Sequence, residues 1–136
     1  MKKFLLPFAS VALLSGCMST QLVPPPTDFV GSLSDEYKAE FMKFNDAPSR
    51  PFRGGMQNFQ FDQERSLLTV LYRLPNPRWY WNVHKSEVEK DLFPYVCNEF
   101  DHELEQGLGV RYWYVGNGGF VTDVVTDKTC IDLNQG

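Results

Sequence analysis

Histidine is scarce in this chain, and the common sequence patterns of catalytic sites are absent from it. Only His84 and His102 occur among 136 residues. Neither a His-Glu-x-x-His motif nor a Gly-x-Ser-x-Gly motif is present, which argues against the zinc and serine hydrolases that carry them. The carboxylates at residues 99–105 are typical of a solvated helix face. We therefore expect no enzymatic activity, no cofactor and no metal site.

Basic residues are also in the minority, with 13 Lys and Arg against 17 Asp and Glu. Lys2 and Lys3 lie in a predicted signal segment that contains no acidic residue. Without that segment, 11 basic residues stand against 17 acidic ones, so the net charge is 11 − 17 = −6. A surface of this charge does not suit nucleic acid or anionic lipid headgroups.

The N-terminal apolar run, residues 4–14, is too short to span a bilayer, because a transmembrane helix needs roughly 20 apolar residues. It follows Lys2 and Lys3, and small residues precede Cys17. Two positive charges, a short apolar run and a small-residue cleavage site are typical of a secretory signal. An uncleaved membrane helix and a plain secretory signal are the alternatives.

The four residues that end at Cys17, Leu-Ser-Gly-Cys, resemble the lipobox of bacterial lipoproteins. This resemblance implies that Cys17 is acylated, as by palmitate, and becomes the mature N-terminus. Lipoproteins retained at the inner membrane often carry Asp after that cysteine, whereas Met18 and Ser19 follow it here. The resemblance therefore implies a lipid anchor in the outer membrane, with the protein facing the periplasm. Such a multiply acylated anchor is sufficient for stable membrane attachment.

The chain is predicted to have three segments. Residues 1–16 form the signal peptide, residues 17–31 a lipid-anchored Pro-rich tether, and residues 32–136 a single α+β periplasmic domain. Three consecutive prolines begin at Pro24 and favour stiff polyproline II structure. About fifteen extended residues reach on the order of 50 Å. The 120 residues left after cleavage suit one domain with its own core.

Cysteine is rare, and its number suggests how it is used. If Cys17 carries the lipid, Cys97 and Cys130 remain as an even pair. In an oxidising compartment, a disulfide between them is the expected outcome. Two buried free thiols or a metal site are the alternatives, although two cysteines without a local Cys or His partner make a poor zinc signature.

The hydrophobic pattern predicts the order helix, hairpin, helix, hairpin. The elements are a helix that begins at Ser34, strands at 56–61 and 66–74, a long helix with Ser86 as N-cap, and strands at 110–115 and 120–125. Pro94 predicts a kink or break in the long helix, and Gly107 its end. This order predicts a two-layer α+β domain. It has a four-stranded antiparallel sheet made of two hairpins, helices on one face, and one disulfide.

The C-terminal half resembles a known family of small lipoproteins. Within residues 95–130 the chain has Cys97, Leu-Glu-Gln-Gly-Leu at 104–108, the strand Val-Arg-Tyr-Trp-Tyr at 110–114, a glycine turn, and Asp-Lys-Thr-Cys ending at Cys130. This layout resembles the type II secretion pilotins of the Vibrio and enterotoxigenic Escherichia coli kind. The resemblance implies a sheet packed on helices with one disulfide. It also implies a role as chaperone for an outer-membrane secretin.

The run Arg78-Trp79-Tyr80-Trp81 is the candidate partner-binding site. Three large aromatic residues in a row cannot all face one core when the segment is extended, so at least one should point outward. Trp and Tyr anchor interfaces because they bury a large area and keep a polar group. The alternative is that both Trp cap the edge of the core and only Tyr80 is exposed.

We therefore expect a non-enzymatic binding module anchored to the outer membrane, with an envelope or secretion protein as its partner and no nucleic-acid partner. A pilotin-like chaperone is one form of this function. The alternative is an inhibitor or immunity lipoprotein that acts against a secreted hydrolase, an effector or a phage. An enzyme is the third class, and its sign would be a deep polar pocket with a perturbed carboxylate or histidine.

Overall fold

Residues 22–135, which the computed structural model describes, form a five-stranded sheet and four α-helices. The helices are α1 (Asp35–Met42), α2 (Lys85–Glu99), α3 (Asp101–Glu105) and α4 (Asp127–Gln135), with a 3₁₀ helix at Lys43–Asp46. The strands are β1 (Arg50–Phe52), β2 (Gly55–Asp62), β3 (Leu67–Arg73), β4 (Gly109–Val115) and β5 (Phe120–Val121). No helix within this part of the chain is long and apolar enough to cross a bilayer.

The sheet is mixed and has the order β1-β2-β3-β4-β5. All neighbouring strands are antiparallel except β3 and β4, which run parallel with Leu68 opposite Val110. The α+β class is confirmed, but the expectation of four antiparallel strands is wrong. The connection from β3 to β4 contains α2 and α3, and a helical crossover of this length carries the chain back to the end of the sheet where β3 began.

The two prolines and two glycines of residues 47–55 predict a loop there, but strand β1 forms within this stretch. Arg50 pairs with Gln57, and Phe52 pairs with Gly55. The two residues between these strands, Arg53 and Gly54, have φ angles of 48° and 84°. Positive φ at both central positions is the geometry of a tight hairpin turn that matches strand twist. Gly54 therefore closes a hairpin rather than a loop.

All the helices contribute to one face of the sheet. Alternate strand side chains point to this face and join buried residues of the helices in one core. The fully or nearly fully buried members are Leu33, Phe41, Phe61, Leu68, Val70, Val96, Leu104, Leu108, Val110, Tyr112 and Val125. Val96 and Leu104 belong to the apolar stripe that the sequence predicts for the long helix, and Leu92 and Phe100 pack against the same core.

The long helix begins and breaks at other positions than predicted. His84, not Ser86, is the N-cap of α2, because its carbonyl oxygen already accepts from the N–H groups of Glu87 and Val88. The helix continues through Pro94, where both Pro94 and the residue one turn earlier are exposed. Solvent can therefore satisfy the carbonyl that proline leaves without a donor. The break falls at Phe100, with φ −115° and ψ 28°.

Gly107 lies just after the C-cap of α3 and ends the helical region, as the sequence predicts. Its φ is +108°. Its N–H donates to the carbonyl oxygen of Leu104 over 3.1 Å, and the N–H of Leu108 donates to that of Glu103 over 3.1 Å. These two bonds form a Schellman motif, which satisfies carbonyls left unpaired at a helix end.

The disulfide between Cys97 and Cys130 is present and confirms the prediction. The sequence pattern places Cys130 just after the last predicted strand, at residues 120–125, whereas Cys130 lies in α4. Strand β5 ends early, at Val121. There the hydroxyl of Thr122 accepts the N–H of Tyr112 over 2.9 Å and replaces a backbone acceptor. The bridge therefore ties α2 to α4 on the helical side of the sheet.

The extended segment at residues 22–31 contacts the opposite face of the sheet. Three side chains of the sheet region donate to its carbonyl oxygens: Gln60 to Leu22 over 3.0 Å, Arg111 to Pro25 over 2.8 Å, and Arg65 to Phe29 over 2.9 Å. Arg111 is 3% exposed, and the acceptor that it contacts in this segment, the carbonyl oxygen of Pro25, is neutral. The predicted tether thus contacts the domain as far back as Leu22, and the predicted boundary at residue 31 stays a prediction.

Candidate functional site

Aromatic side chains from four strands stack side by side at one end of the sheet, on the helical face. Phe52 of β1 lies 5.2 Å from Tyr72 of β3, ring centroid to centroid. Tyr72 lies 5.3 Å from Tyr114 of β4, which lies 4.9 Å from Phe120 of β5. We call these four residues the aromatic ladder. Gly55, the partner of Phe52, has no side chain, and a Cβ there would clash with the carbonyl oxygen of Arg73 in β3.

Polar groups run along the β1 end of the aromatic ladder. The Nε of Arg50 donates to Gln57 over 2.7 Å, and the amide of Gln57 donates to the hydroxyl of Tyr72 over 3.1 Å. The guanidinium of Arg53 lies 5.5 Å from the ring centroid of Phe52, within cation–π range. Since the Tyr72 oxygen accepts from Gln57, its own proton is left for another acceptor.

Burial disfavours the ionised form of the tyrosine hydroxyls in this region. It raises the pKa of Tyr114 to about 12, Tyr72 adds to the rise, and the positive charge of Arg53 opposes it. It also raises the pKa of Tyr72, with Gln57 and the nearby arginines opposing the rise, and that of Tyr112. Tyrosine hydroxyls keep their proton at neutral pH even at an ordinary pKa of about 10, so these side chains are hydrogen-bond donors there, and burial extends that range to higher pH.

Trp81 anchors the loop after β3 beside Tyr114 of the aromatic ladder. Its indole N–H donates to the carbonyl oxygen of Val115 over 2.8 Å, and its ring meets Tyr114 edge-on at 5.0 Å. Its backbone N–H donates to Asn117 over 2.9 Å. Gly118 allows this docking, because a Cβ there would lie 2.7 Å from the ring of Tyr80. The loop is thus bonded to the β4–β5 turn.

The two aromatic residues before this anchor face solvent. Trp79 is 54% exposed and Tyr80 is 72% exposed, and Arg78 is also exposed. We call residues 78–81 the aromatic loop. The sequence predicts that at least one of the three rings points outward, and two of them do. The alternative, in which both Trp cap the edge of the core, holds for Trp81 but not for Trp79. The aromatic ladder and the aromatic loop meet where the ring of Trp81 contacts Tyr114. We call the two together the aromatic surface, which can stack against apolar groups and donate hydrogen bonds.

The other sequence candidates do not come together in a site. Cys17 lies outside the described residues. His84 and His102 are exposed, at the start of α2 and in α3. Across residues 22–135, no three His, Cys, Asp or Glu side chains are grouped as metal ligands. The glycine-rich residues 116–119 connect β4 to β5 as the predicted hairpin turn.

Sequence reasoning missed the aromatic ladder, although a signal was available. Tyr114 and Phe120 flank the glycine turn of the second predicted hairpin, and they lie opposite each other across it. The alignment of Tyr72 with Tyr114 depends on the parallel pairing of β3 and β4, which was not predicted.

No protein-family model matches this chain, and neither the curated proteins nor the solved structures compared with it gave a significant match. The resemblance to pilotins therefore stays an expectation, and function has to be inferred from the aromatic surface itself.

Proposed function

We propose that the protein is an outer-membrane lipoprotein that acts in the periplasm as a non-enzymatic binding module for an envelope protein. The observation that carries this proposal is the exposure of Trp79 and Tyr80 on a loop whose next residue, Trp81, is fixed by hydrogen bonds. Trp and Tyr are enriched among the residues that dominate binding energy at protein interfaces.

The fixed backbone of the aromatic loop supports a binding role. Ordering a mobile loop costs free energy on association, and a loop that is already held in place avoids much of that cost. The bonds from Trp81 to Val115 and Asn117 supply this preorganisation. The half-buried rings of the aromatic ladder extend the surface beyond the two exposed residues.

Within this class we propose a pilotin-like role, in which the partner is an outer-membrane secretin subunit. The support is the sequence layout from Cys97 to Cys130 together with the lipobox at Cys17. In cells that lack the protein, the secretin should then shift from the outer-membrane to the inner-membrane fraction. Unchanged secretin localisation would contradict this role.

The binding function is tested by affinity purification from detergent-solubilised envelopes. Trp79→Ala/Tyr80→Ala should reduce recovery of the partner at least about tenfold, since hot-spot residues cost roughly 2 kcal/mol or more each. Ile131→Ala/Leu133→Ala is the matched control, because these side chains of α4 are 47% and 45% exposed. Equal recovery with both variants would contradict a role for the aromatic loop.

A further inference from the structure

Charge is unevenly distributed along this chain. Three stretches, 47–61, 65–86 and 106–122, contain no Asp or Glu but seven of the eleven Lys and Arg that follow residue 16. The other four basic residues share the rest of that chain with all 17 acidic residues. The strands and the turns between them carry five arginines, Arg50, Arg53, Arg65, Arg73 and Arg111, against two acidic residues, Asp62 and Glu64, whereas the acidic residues lie mainly on the helices. An acidic protein therefore has a sheet that carries positive charge.

Part of this positive charge borders the aromatic ladder and is not neutralised by the protein. Arg50 and Arg53 lie beside Phe52, and Arg78 begins the aromatic loop; all three are exposed. The ion pairs found among residues 22–135 use Lys43, Arg65, Lys85 and Lys128. None of them uses an arginine that borders the aromatic ladder. The charge of Arg53 reaches far enough along the ladder to oppose the rise in pKa of Tyr114.

We propose that the aromatic surface binds an acidic segment of its partner protein, with carboxylates at Arg50 and Arg53 and apolar side chains on the aromatic ladder. This inference rests on the proposed function and adds the chemistry of the partner. Arginine pairs with carboxylates through two parallel hydrogen bonds and is the cation favoured at interfaces. The tyrosine hydroxyl of Tyr72, whose oxygen is occupied by Gln57, has its proton to donate.

The dimensions of the surface suit a short extended segment. The centroids from Phe52 to Tyr72, Tyr72 to Tyr114 and Tyr114 to Trp81 are 5.2, 5.3 and 5.0 Å apart. The path is therefore roughly 15 Å long, which four to five extended residues cover at about 3.3 Å each. An anionic membrane surface fits less well, because the acidic helices that make up the rest of the domain would be repelled by it.

A probe of known composition tests this inference before the partner is identified. The full-length protein in non-ionic detergent is titrated with a random copolymer of Glu and Tyr, and tryptophan fluorescence reports binding. Arg50→Glu/Arg53→Glu should weaken binding at least tenfold, and wild-type affinity should fall with added salt. Lys90→Glu/Lys128→Glu is the control, because it makes the same change in net charge on α2 and α4.

Two outcomes would overturn the inference. One is copolymer binding that is absent, or equally weakened by both double variants. The other is stronger binding to mixed micelles of phosphatidylglycerol and the same detergent than to the copolymer, with loss in Arg50→Glu/Arg53→Glu, which would assign the surface to anionic lipid. The affinity purification separates this inference from the proposed function. Partner recovery that needs Trp79 and Tyr80 but not the two arginines would overturn the acidic segment alone.

Discussion

The indole N–H of Trp81 donates to the carbonyl oxygen of Val115 over 2.8 Å and so bonds the loop after β3 to the end of β4. The two residues are 34 positions apart, and the bond fixes where the exposed Trp79 and Tyr80 project. The proposed binding surface therefore depends on one half-buried contact as well as on its exposed rings.

Trp81→Phe should destabilise the protein, because it leaves the Val115 carbonyl without its donor. The expected loss is about 0.5–1.5 kcal/mol in the free energy of unfolding, measured by urea denaturation. Trp79→Phe is the control, since Trp79 is largely exposed and surface substitutions usually change stability by less than about 0.5 kcal/mol. Equal destabilisation by both variants would show that the indole bond has no structural role.

The disulfide between α2 and α4 should contribute much of the stability of the domain. Removing a native disulfide from a small secreted domain typically costs about 2–5 kcal/mol, against total stabilities of about 5–15 kcal/mol. Cys97→Ser/Cys130→Ser should therefore lower the melting temperature by many degrees and make the protein sensitive to protease. Mass spectrometry of the unreduced wild type should give a mass lower by two hydrogens. Two alkylatable thiols in freshly isolated protein would contradict the bridge.

Stability should fall as pH rises from about 10 towards 12, because the pKa of Tyr114 is about 12 in the folded protein and 10.0 for the free side chain. The unfolded chain loses the proton first, so it binds fewer protons than the folded protein in this window. Urea denaturation at several pH values measures the slope. Tyr114→Phe should make this slope shallower, because it removes the hydroxyl whose pKa burial raises. A slope that Tyr114→Phe leaves unchanged would contradict this assignment.

Cys17→Ser should release the protein from the membrane or leave it as an unacylated precursor. If Cys17 carries the lipid, the anchor supplies nearly all of the membrane affinity. Cell fractionation followed by immunoblotting measures the distribution, and Ser19→Ala, which keeps the cysteine, is the control. Retention of Cys17→Ser in the outer-membrane fraction at the wild-type level would show that the anchor lies elsewhere.

Local features of the fold were predictable from the sequence. Ser34 caps α1, as its side chain accepts from the N–H of Tyr37, and β2 pairs with β3 across a short turn. The parallel pairing of β3 with β4 was not predictable in the same way. It depends on where a helical connection of about 35 residues returns the chain, and no local pattern encodes that position.

The binding surface shows the same division between local and distant determinants. The run at residues 78–81 was recognisable from its composition. Which of Trp79 and Trp81 is exposed was not, because it depends on contacts with residues distant in the sequence. Hydrogen bonds to the carbonyl oxygens of Val115 and Asn117 hold Trp81 in a half-buried position. The prolines at residues 24–26 predict a tether, but the local sequence does not reveal that this segment contacts the domain. The donor that contacts the carbonyl oxygen of Pro25 is Arg111, 86 positions away.

Site-specific photocrosslinking in living cells tests the central claim, that the aromatic loop binds an envelope protein, most directly. A photoreactive phenylalanine analogue replaces Tyr80 in one strain and Ile131, also exposed, in another. The proposed function predicts one discrete adduct with an envelope protein from position 80, none from position 131, and loss of the adduct when Trp79→Ala is added. No adduct at position 80, or the same adducts from both positions, would contradict a partner-binding role for this surface.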